Sequence, residues 1–453
     1  MSSPSSIPAG SILPAEALLQ GEAVTVVAPA ADRKAAQLNE KASVADEEEW
    51  TYPDGGLRAW LVVFGCALMT ATCMGWGLVW GVLQDFYHSD QYKDASLSTL
   101  SLVGGLFSFS MNSTAYFFGG IGERYGFKRM IALSSLLSYL CLLASAFATK
   151  LYQVFLFQGC LLGISGGISM PLYMALPAQW FQRRRGLATG IAVSGSSLGG
   201  AAGSLVIRPL LSNLGYKKTM LVYSAIYAVI WICAWFMMAE RRAPGYEKIQ
   251  KHWLPTTRGP AFYCVALTVF TGIFGFQGPY YLITTYVKVK VPSLDPNSLL
   301  VVVPLVIMNI GGGIGRIMAG RLADAFGTLN MFFTTFLLGG LAQLLIWMFA
   351  DTFGSIIAFS LVYGLVGCWF ISLLPVVCAQ LFGLNDLATI TGFMILANSP
   401  GQLAGASIGG AVLSRSGNNW QAVAAYSGCA MLLGSCFALS ARLSHERRIF
   451  VKV

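Results

Sequence analysis

From Trp60 onward the chain alternates long apolar runs with short polar breaks. The runs cover about 60–83, 97–121, 130–149, 152–178, 186–207 and 219–239, and then about 261–287, 297–319, 329–350, 353–381, 387–413 and 420–441. A helix of roughly 20 apolar residues crosses the ~30 Å hydrocarbon core of a bilayer. The pattern therefore predicts an all-α integral membrane protein with twelve transmembrane helices. The longest polar break between runs, Glu240–Gly259, divides them into six and six. The expected organisation is an N-terminal six-helix half over 57–239, a cytosolic linker over 240–259 and a C-terminal six-helix half over 260–441. A short cytosolic tail over 442–453 follows.

The two halves resemble each other at one offset. Gly119 and Glu123 recur as Gly320 and Asp324, Gly163 and Gly166 as Gly364 and Gly367, and Ala178-Gln179 as Ala379-Gln380, each 201 residues later. Tandem halves of this kind are the architecture of secondary transporters that rock about a site near the bilayer midplane. No Gly-x4-Gly-Lys-[Ser/Thr] segment is present to bind ATP, so a gradient or passive movement is the expected driving force. Glycines four apart, Gly195, Gly199 and Gly203 in the fifth run and Gly401, Gly405 and Gly409 in the eleventh, let helix backbones approach and slide closely.

Composition narrows the class. Hydrophobic residues make up 55% of the 453 and charged residues only 11%, against about 25% in soluble domains. That excludes a soluble enzyme, a disordered chain and a nucleic-acid binder. Residues 1–54 carry nine acidic and three basic side chains, which leaves 11 and 26 beyond them. Residues 1–56 are read as a disordered, acidic, cytosolic tail without a secretory signal. With the N-terminus inside, 20 Lys and Arg fall in inner segments and seven in outer loops. The seven are Lys93, Lys150, Lys217, Lys218, Lys288, Lys290 and Arg415, and the ratio fits the positive-inside bias. Both termini are expected to be cytosolic. The ten cysteines lie in apolar runs and read as small buried hydrophobes, with no metal site and no cofactor expected.

Three stretches carry a family resemblance. Gly119-Gly-Ile-Gly-Glu123-Arg124-Tyr-Gly126-Phe-Lys128-Arg129 resembles the loop between the second and third helices of the major facilitator superfamily, with Glu where that family has Asp. Pro53-Asp54-Gly55-Gly56-Leu57-Arg58-Ala59-Trp60 and Trp180-Phe181-Gln182-Arg183-Arg184-Arg185-Gly186 are similar to the two signatures of the monocarboxylate transporter family, the first in its fungal form. The resemblance covers about residues 53–441 and implies the facilitator fold. On it, Asp54, Glu123, Arg124, Lys128, Arg184 and Asp324 are gating candidates on the inner face, together with the helix-packing Gly195, Gly199 and Gly405.

The resemblance also implies that Arg316 pairs with a substrate carboxylate, since it matches an arginine of the family's eighth helix. Where proton-coupled members carry an acid one turn earlier, this chain has Gly312, and no lysine stands in the first run. Asp85, Asp324 and Asp351 are placed near run ends, and Arg208 beside Pro209 is read as an interfacial anchor. Polar and aromatic cavity candidates are Trp76, Trp80, Asn112, Tyr173, Gln277, Tyr280, Tyr281, Asn309, Trp369 and Asn398. Many neutral donors among aromatic walls suit a mid-sized organic molecule.

The expectation is a membrane carrier, not an enzyme, that moves a small organic molecule by alternating access. Its partners are the lipid bilayer and a small-molecule substrate with anionic or aromatic character, and no nucleic acid. Export of a fungal secondary metabolite leads; uptake of a monocarboxylate or vitamin-like nutrient is the alternative, and a transporter-shaped nutrient sensor is a third reading of another class. The cell membrane is the expected location, with the vacuolar membrane as the alternative.

Overall fold

A computed structural model describes residues 52–241, 259–296, 298–382 and 387–446. The expected acidic tail through Thr51, most of the 240–259 linker and the end of the C-terminal tail lie outside the described residues, as do the side chains of Glu123 and Arg124. Regular structure is entirely helical among the described residues. Hydrocarbon offers no partner to a backbone N–H or C=O, and a helix satisfies both within one segment.

In chain order the main helices are α1 (Gly56–Cys73), α2 (Gly75–Phe86), α3 (Leu97–Tyr125), α4 (Phe127–Ser145), α5 (Leu162–Trp180) and α6 (Arg185–Met237). After residue 258 come α7 (Pro260–Lys290), α8 (Val303–Phe326), α9 (Thr328–Leu345), α10 (Phe353–Gly367), α11 (Trp369–Phe382), α12 (Leu387–Arg415) and α13 (Trp420–His445). Nine helical segments among the described residues are long and apolar enough to cross a membrane. One of them runs from Gly56 to Gln91 through the slight break at Met74, and another from Leu151 to Trp180.

One departure from the expected spans has a local cause. The break expected at 208–218 is a single bend: α6 runs straight through Pro209 and turns at Gly215, whose φ of +70° suits only glycine. The expected run 353–381 is one candidate segment, Phe353–Phe382, with a slight break at Cys368 between α10 and α11. Elsewhere the chain turns where expected. Gly126 and Gly327 both have positive φ, +91° and +96°, and each starts the next helix 201 residues apart from its counterpart. The internal repeat is thus visible in the backbone.

Packing follows the glycines. A Cβ on Gly195 would lie 2.6 Å from Thr70 Oγ1, and one on Gly199 2.5 Å from the Cα of Ala71, so α6 lies backbone to backbone on α1. The same arrangement recurs between α12 and α7, where a Cβ on Gly405 would lie 2.5 Å from the Phe274 carbonyl. Helices before residue 242 meet helices after 258 equally closely. Gly81 of α2 abuts the Tyr280 carbonyl of α7, Gly105 of α3 abuts the Leu403 carbonyl of α12, and a Cβ on Gly200 of α6 would meet Asn309 Oδ1 of α8 at 3.0 Å.

Aromatic side chains fill the interior of the 52–241 part: Trp76 contacts the rings of Tyr223 and Tyr227 at 5.8 and 6.4 Å between centroids. Tyr87 donates to Gln158 at 3.1 Å, and Tyr216 donates to the Ser145 carbonyl at 2.8 Å. These bonds tie the far ends of several helices together. The cysteines divide more evenly than expected. Cys66, Cys73, Cys368 and Cys378 are buried, but Cys233, Cys429 and Cys436 face outward, where a thiol is as much at home against lipid as in a core. All ten are free.

Candidate functional site

Arg316 lies in the middle of the α6–α8 junction. The sequence of α8 places Asn309, Gly312 and Arg316 at three- and four-residue steps, so they share one face. That face meets α6. Arg316 is 2% exposed; its Nη1 donates to the Val193 carbonyl at 3.1 Å and to Ser196 Oγ. No carboxylate pairs with it among the described residues, and its Nε has no hydrogen-bond partner there. A buried, unpaired cation is costly by several kcal/mol unless an anion compensates it.

The surroundings of Gly312 explain what its missing side chain leaves. A Cβ there would be 3.1 Å from Ser197 Oγ, 3.4 Å from Cys368 Sγ and 3.5 Å from the Tyr280 hydroxyl. Tyr280 and Cys368 are themselves 3.0 Å apart. Ser197 Oγ and Asn309 Oδ1 have no partner among the described residues, and Asn309 Nδ2 reaches the Leu78 carbonyl only at 3.5 Å. Buried polar atoms are normally satisfied. A group of unsatisfied donors and acceptors beside a lone cation is what a polar ligand would complete.

A second polar group sits where α3, α7 and α12 meet. Asn112 donates to Asn398 Oδ1 at 3.1 Å across 286 residues. Gln277 Nε2 reaches Ser108 Oγ at 3.4 Å, while Gln277 Oε1 and the Tyr281 hydroxyl have no partner among the described residues. The expected cavity residues therefore divide. Arg316 and Asn309 gather at the α6–α8 junction, and Asn112, Asn398 and Gln277 at the α3–α7–α12 junction, with Tyr281 next along α7. Trp80 is wedged between α2 and α3, donating to the Leu100 carbonyl at 3.1 Å, with its ring against Gly104. Trp369 donates to Leu365 in its own turn of chain. Tyr173 is fully buried with its hydroxyl unpartnered among the described residues. Ser108, Ser196 and Ser197 were not expected at the site. A lone serine in an apolar run carries no signal of its own.

At the opposite end of the first helical segment, Asp54 anchors the chain entering α1. Its Oδ1 accepts from the backbone N–H of Gln182 at 2.6 Å and of Arg183 at 2.8 Å, and its own N–H donates to the Trp180 carbonyl at 3.1 Å. Lys128 lies over the Trp235 ring at 4.9 Å. Arg184 precedes the first turn of α6, and Asp324 is exposed near the end of α8.

One expectation is corrected. Arg208 is not an interfacial anchor: it is 5% exposed and bonded to Asp85 at 2.9 Å. Asp85 is 1% exposed, so a carboxylate expected near a run end is fully buried, with Lys288 Nζ 2.7 Å from the same oxygen. Three partners from distant runs satisfy one another. None of those pairings can be read from the composition of a single run.

Comparison with known proteins agrees with this architecture. The family model described as "Major Facilitator Superfamily" matches residues 65–316 and 293–449. The agnestins efflux protein of Paecilomyces divaricatus is 31% identical over 399 residues, covering 87% of this chain and 90% of its own. The aspyridones efflux protein of Emericella nidulans is 29% identical over 87% of this chain and 80% of its own. The fujikurins efflux protein of Gibberella fujikuroi is 27% identical over 92% and 88% respectively.

Proposed function

The chain belongs to the major facilitator superfamily, and from that premise we propose that it exports a fungal secondary metabolite bearing an acidic group. It is a multi-pass membrane transporter of small molecules. The efflux roles in its relatives' names support the direction, and the uncompensated Arg316 cation at the α6–α8 junction carries the acidic-substrate reading. The unsatisfied atoms of Asn309, Ser197, Gln277 and Tyr281 would orient the remainder of the molecule.

The proposed topology is twelve spans in two six-helix halves with both termini cytosolic, in the cell membrane. Supporting it, one of the nine candidate segments bends at Gly215 and, at 52 residues, is long enough for two spans, and the helices Leu97–Tyr125 and Leu387–Arg415 are each 29 residues long. The shared turn glycines Gly126 and Gly327 support the two halves. The monocarboxylate-type signatures fit an anionic substrate as well, though Gly312 denies Arg316 the neighbouring acid of proton-coupled members. Asp54, Lys128, Arg184 and Asp324, with Glu123 and Arg124, form the proposed inner-face latch; Gly195, Gly199 and Gly405 are the proposed sliding contacts.

The test is deletion of the gene in its native host, with untargeted mass spectrometry of cells and medium. One or more acidic metabolites should accumulate inside and fall in the medium, and the wild-type gene, but not an Arg316→Gln copy, should restore release. A distribution unchanged by deletion, or metabolites that fail to enter cells, would overturn the proposal.

A further inference from the structure

Asp85 is the only acidic side chain among the described residues that is buried. It ends α2 and receives one cation from each side of the molecule: Arg208 of α6 at 2.9 Å and Lys288 of α7 at 2.7 Å. Arg208 belongs to the helices before residue 242. Lys288 belongs to those after 258. Arg208 also donates through Nη2 to the Pro296 carbonyl, and Lys288 through Nζ to Ser89 at 3.3 Å, so three separate bonds cross between the two parts.

The backbone is closed at the same level. One helical turn before Asp85, Gly81 abuts the Tyr280 carbonyl; at the start of α3, Ser98 Oγ donates to the Ser407 carbonyl at 2.7 Å. A Cβ on Gly410 would lie 2.7 Å from the Ser98 nitrogen. The α2–α7 and α3–α12 seams are therefore both shut at the end of the bundle away from Asp54.

We propose that Asp85, Arg208 and Lys288 form the outer gate clamp of the carrier, holding the two halves together in the state closed to the outside. The inference rests on the proposed orientation and two-half division. The charge arrangement suits a latch that must open. Three bonds cross between the two parts, so no single one carries the closure. When the halves part, Lys288 and Asp85 both move into water at the rim, where ion pairs contribute little. Arg208 stays with Asp85 inside its own half, so opening leaves no unpaired charge buried. Of the three bonds that opening must break, Lys288–Asp85 is the ion pair. Nearby Lys290 provides the contrast, since it pairs with Asp351 at 2.5 Å wholly within the second part.

The test places a reporter thiol at Ser98→Cys in the full-length protein and measures labelling by a membrane-impermeant maleimide in intact cells, after subtraction of the parent carrying only the native cysteines. Lys288→Ala should raise the labelling rate roughly fivefold, the population change that ~1 kcal/mol of lost pairing produces. Lys290→Ala should leave it unchanged. Asp85→Asn should raise it as well, because two cations then face each other across the seam; if that variant fails to reach the membrane, Lys288→Ala decides alone. No rise with Lys288→Ala, or an equal rise with Lys290→Ala, would overturn the clamp. A rise seen only when the reagent is admitted to the cytosolic side would uphold the clamp and overturn the orientation.

Discussion

Arg316 donates to the backbone carbonyl of Val193 at 3.1 Å, joining α8 to α6 across 123 residues. A carbonyl and a hydroxyl solvate a guanidinium without neutralising it, so the positive charge remains available to a ligand. Arg316→Gln retains hydrogen-bonding capacity and removes the charge. Hydrogen bonds to charged groups contribute about 1.5–3 kcal/mol. The apparent affinity for an acidic substrate should therefore fall roughly ten- to hundredfold, with surface expression unchanged. Transport of the metabolite identified by deletion, measured in membrane vesicles, checks this; equal uptake by both proteins removes Arg316 from the binding site.

Gly312 allows a sharper version of the same question. Its Cβ position lies within 3.5 Å of Ser197, Cys368 and Tyr280, one turn before Arg316. A carboxylate introduced there by Gly312→Asp would stand beside the Arg316 cation and compete with the substrate. Gly312→Asn has nearly the same volume without the charge. The Asp variant should lose at least about tenfold more transport than the Asn variant, in line with a charge-assisted pair. Similar losses in both would show that crowding, not charge, governs this position.

The apolar runs and glycine ladders were legible because the bilayer dictates them: it demands about 20 apolar residues per crossing, and close helix contact demands small side chains. The Asp85–Arg208–Lys288 cluster was not. Each of its members lies near the end of a run, where a charged side chain ordinarily reaches water, and only the tertiary packing of α2, α6 and α7 buries them. The inward face of each helix was equally hidden. Lipid-facing and protein-facing sides are both apolar, so Trp80 and Gln277 carried the same signal, although one is wedged against Gly104 and the other meets Ser108 across the helix seam. The break expected over 208–218 narrows to the single turn at Gly215. Pro209 marks a helix break in water but is accommodated within α6.

Gly199 should tolerate no side chain. A Cβ there would sit 2.5 Å from the Cα of Ala71, backbone against backbone, with no flexible neighbour to move. Overpacking of this kind costs about 1–3 kcal/mol. Gly199→Val should lower the melting temperature of the detergent-solubilised protein and abolish transport, and Gly405→Val should do the same at the Phe274 carbonyl of the related α7–α12 contact. Gly190→Ala, with nothing within 4 Å of its Cβ position, is the control and should behave as wild type. A stable, active Gly199→Val protein would show that α1 and α6 can separate without loss.

Asp54 combines two demands that few residues meet. Its φ of +48° lies in the left-handed region, and its carboxylate accepts two backbone N–H bonds from Gln182 and Arg183. Asparagine also tolerates that backbone region and keeps one side-chain acceptor. Alanine offers neither advantage. Asp54→Ala should therefore cost about 1–3 kcal/mol from the freed N–H groups and the strained backbone, read as a lower melting temperature, whereas Asp54→Asn should lose less than half as much. If Asp54 also takes part in gating, Asp54→Asn should slow transport at near-normal stability, because the weaker neutral acceptor loosens the hold of the α1 entry segment on the α5–α6 turn. Parallel losses of stability and flux in both variants would assign Asp54 to the fold alone.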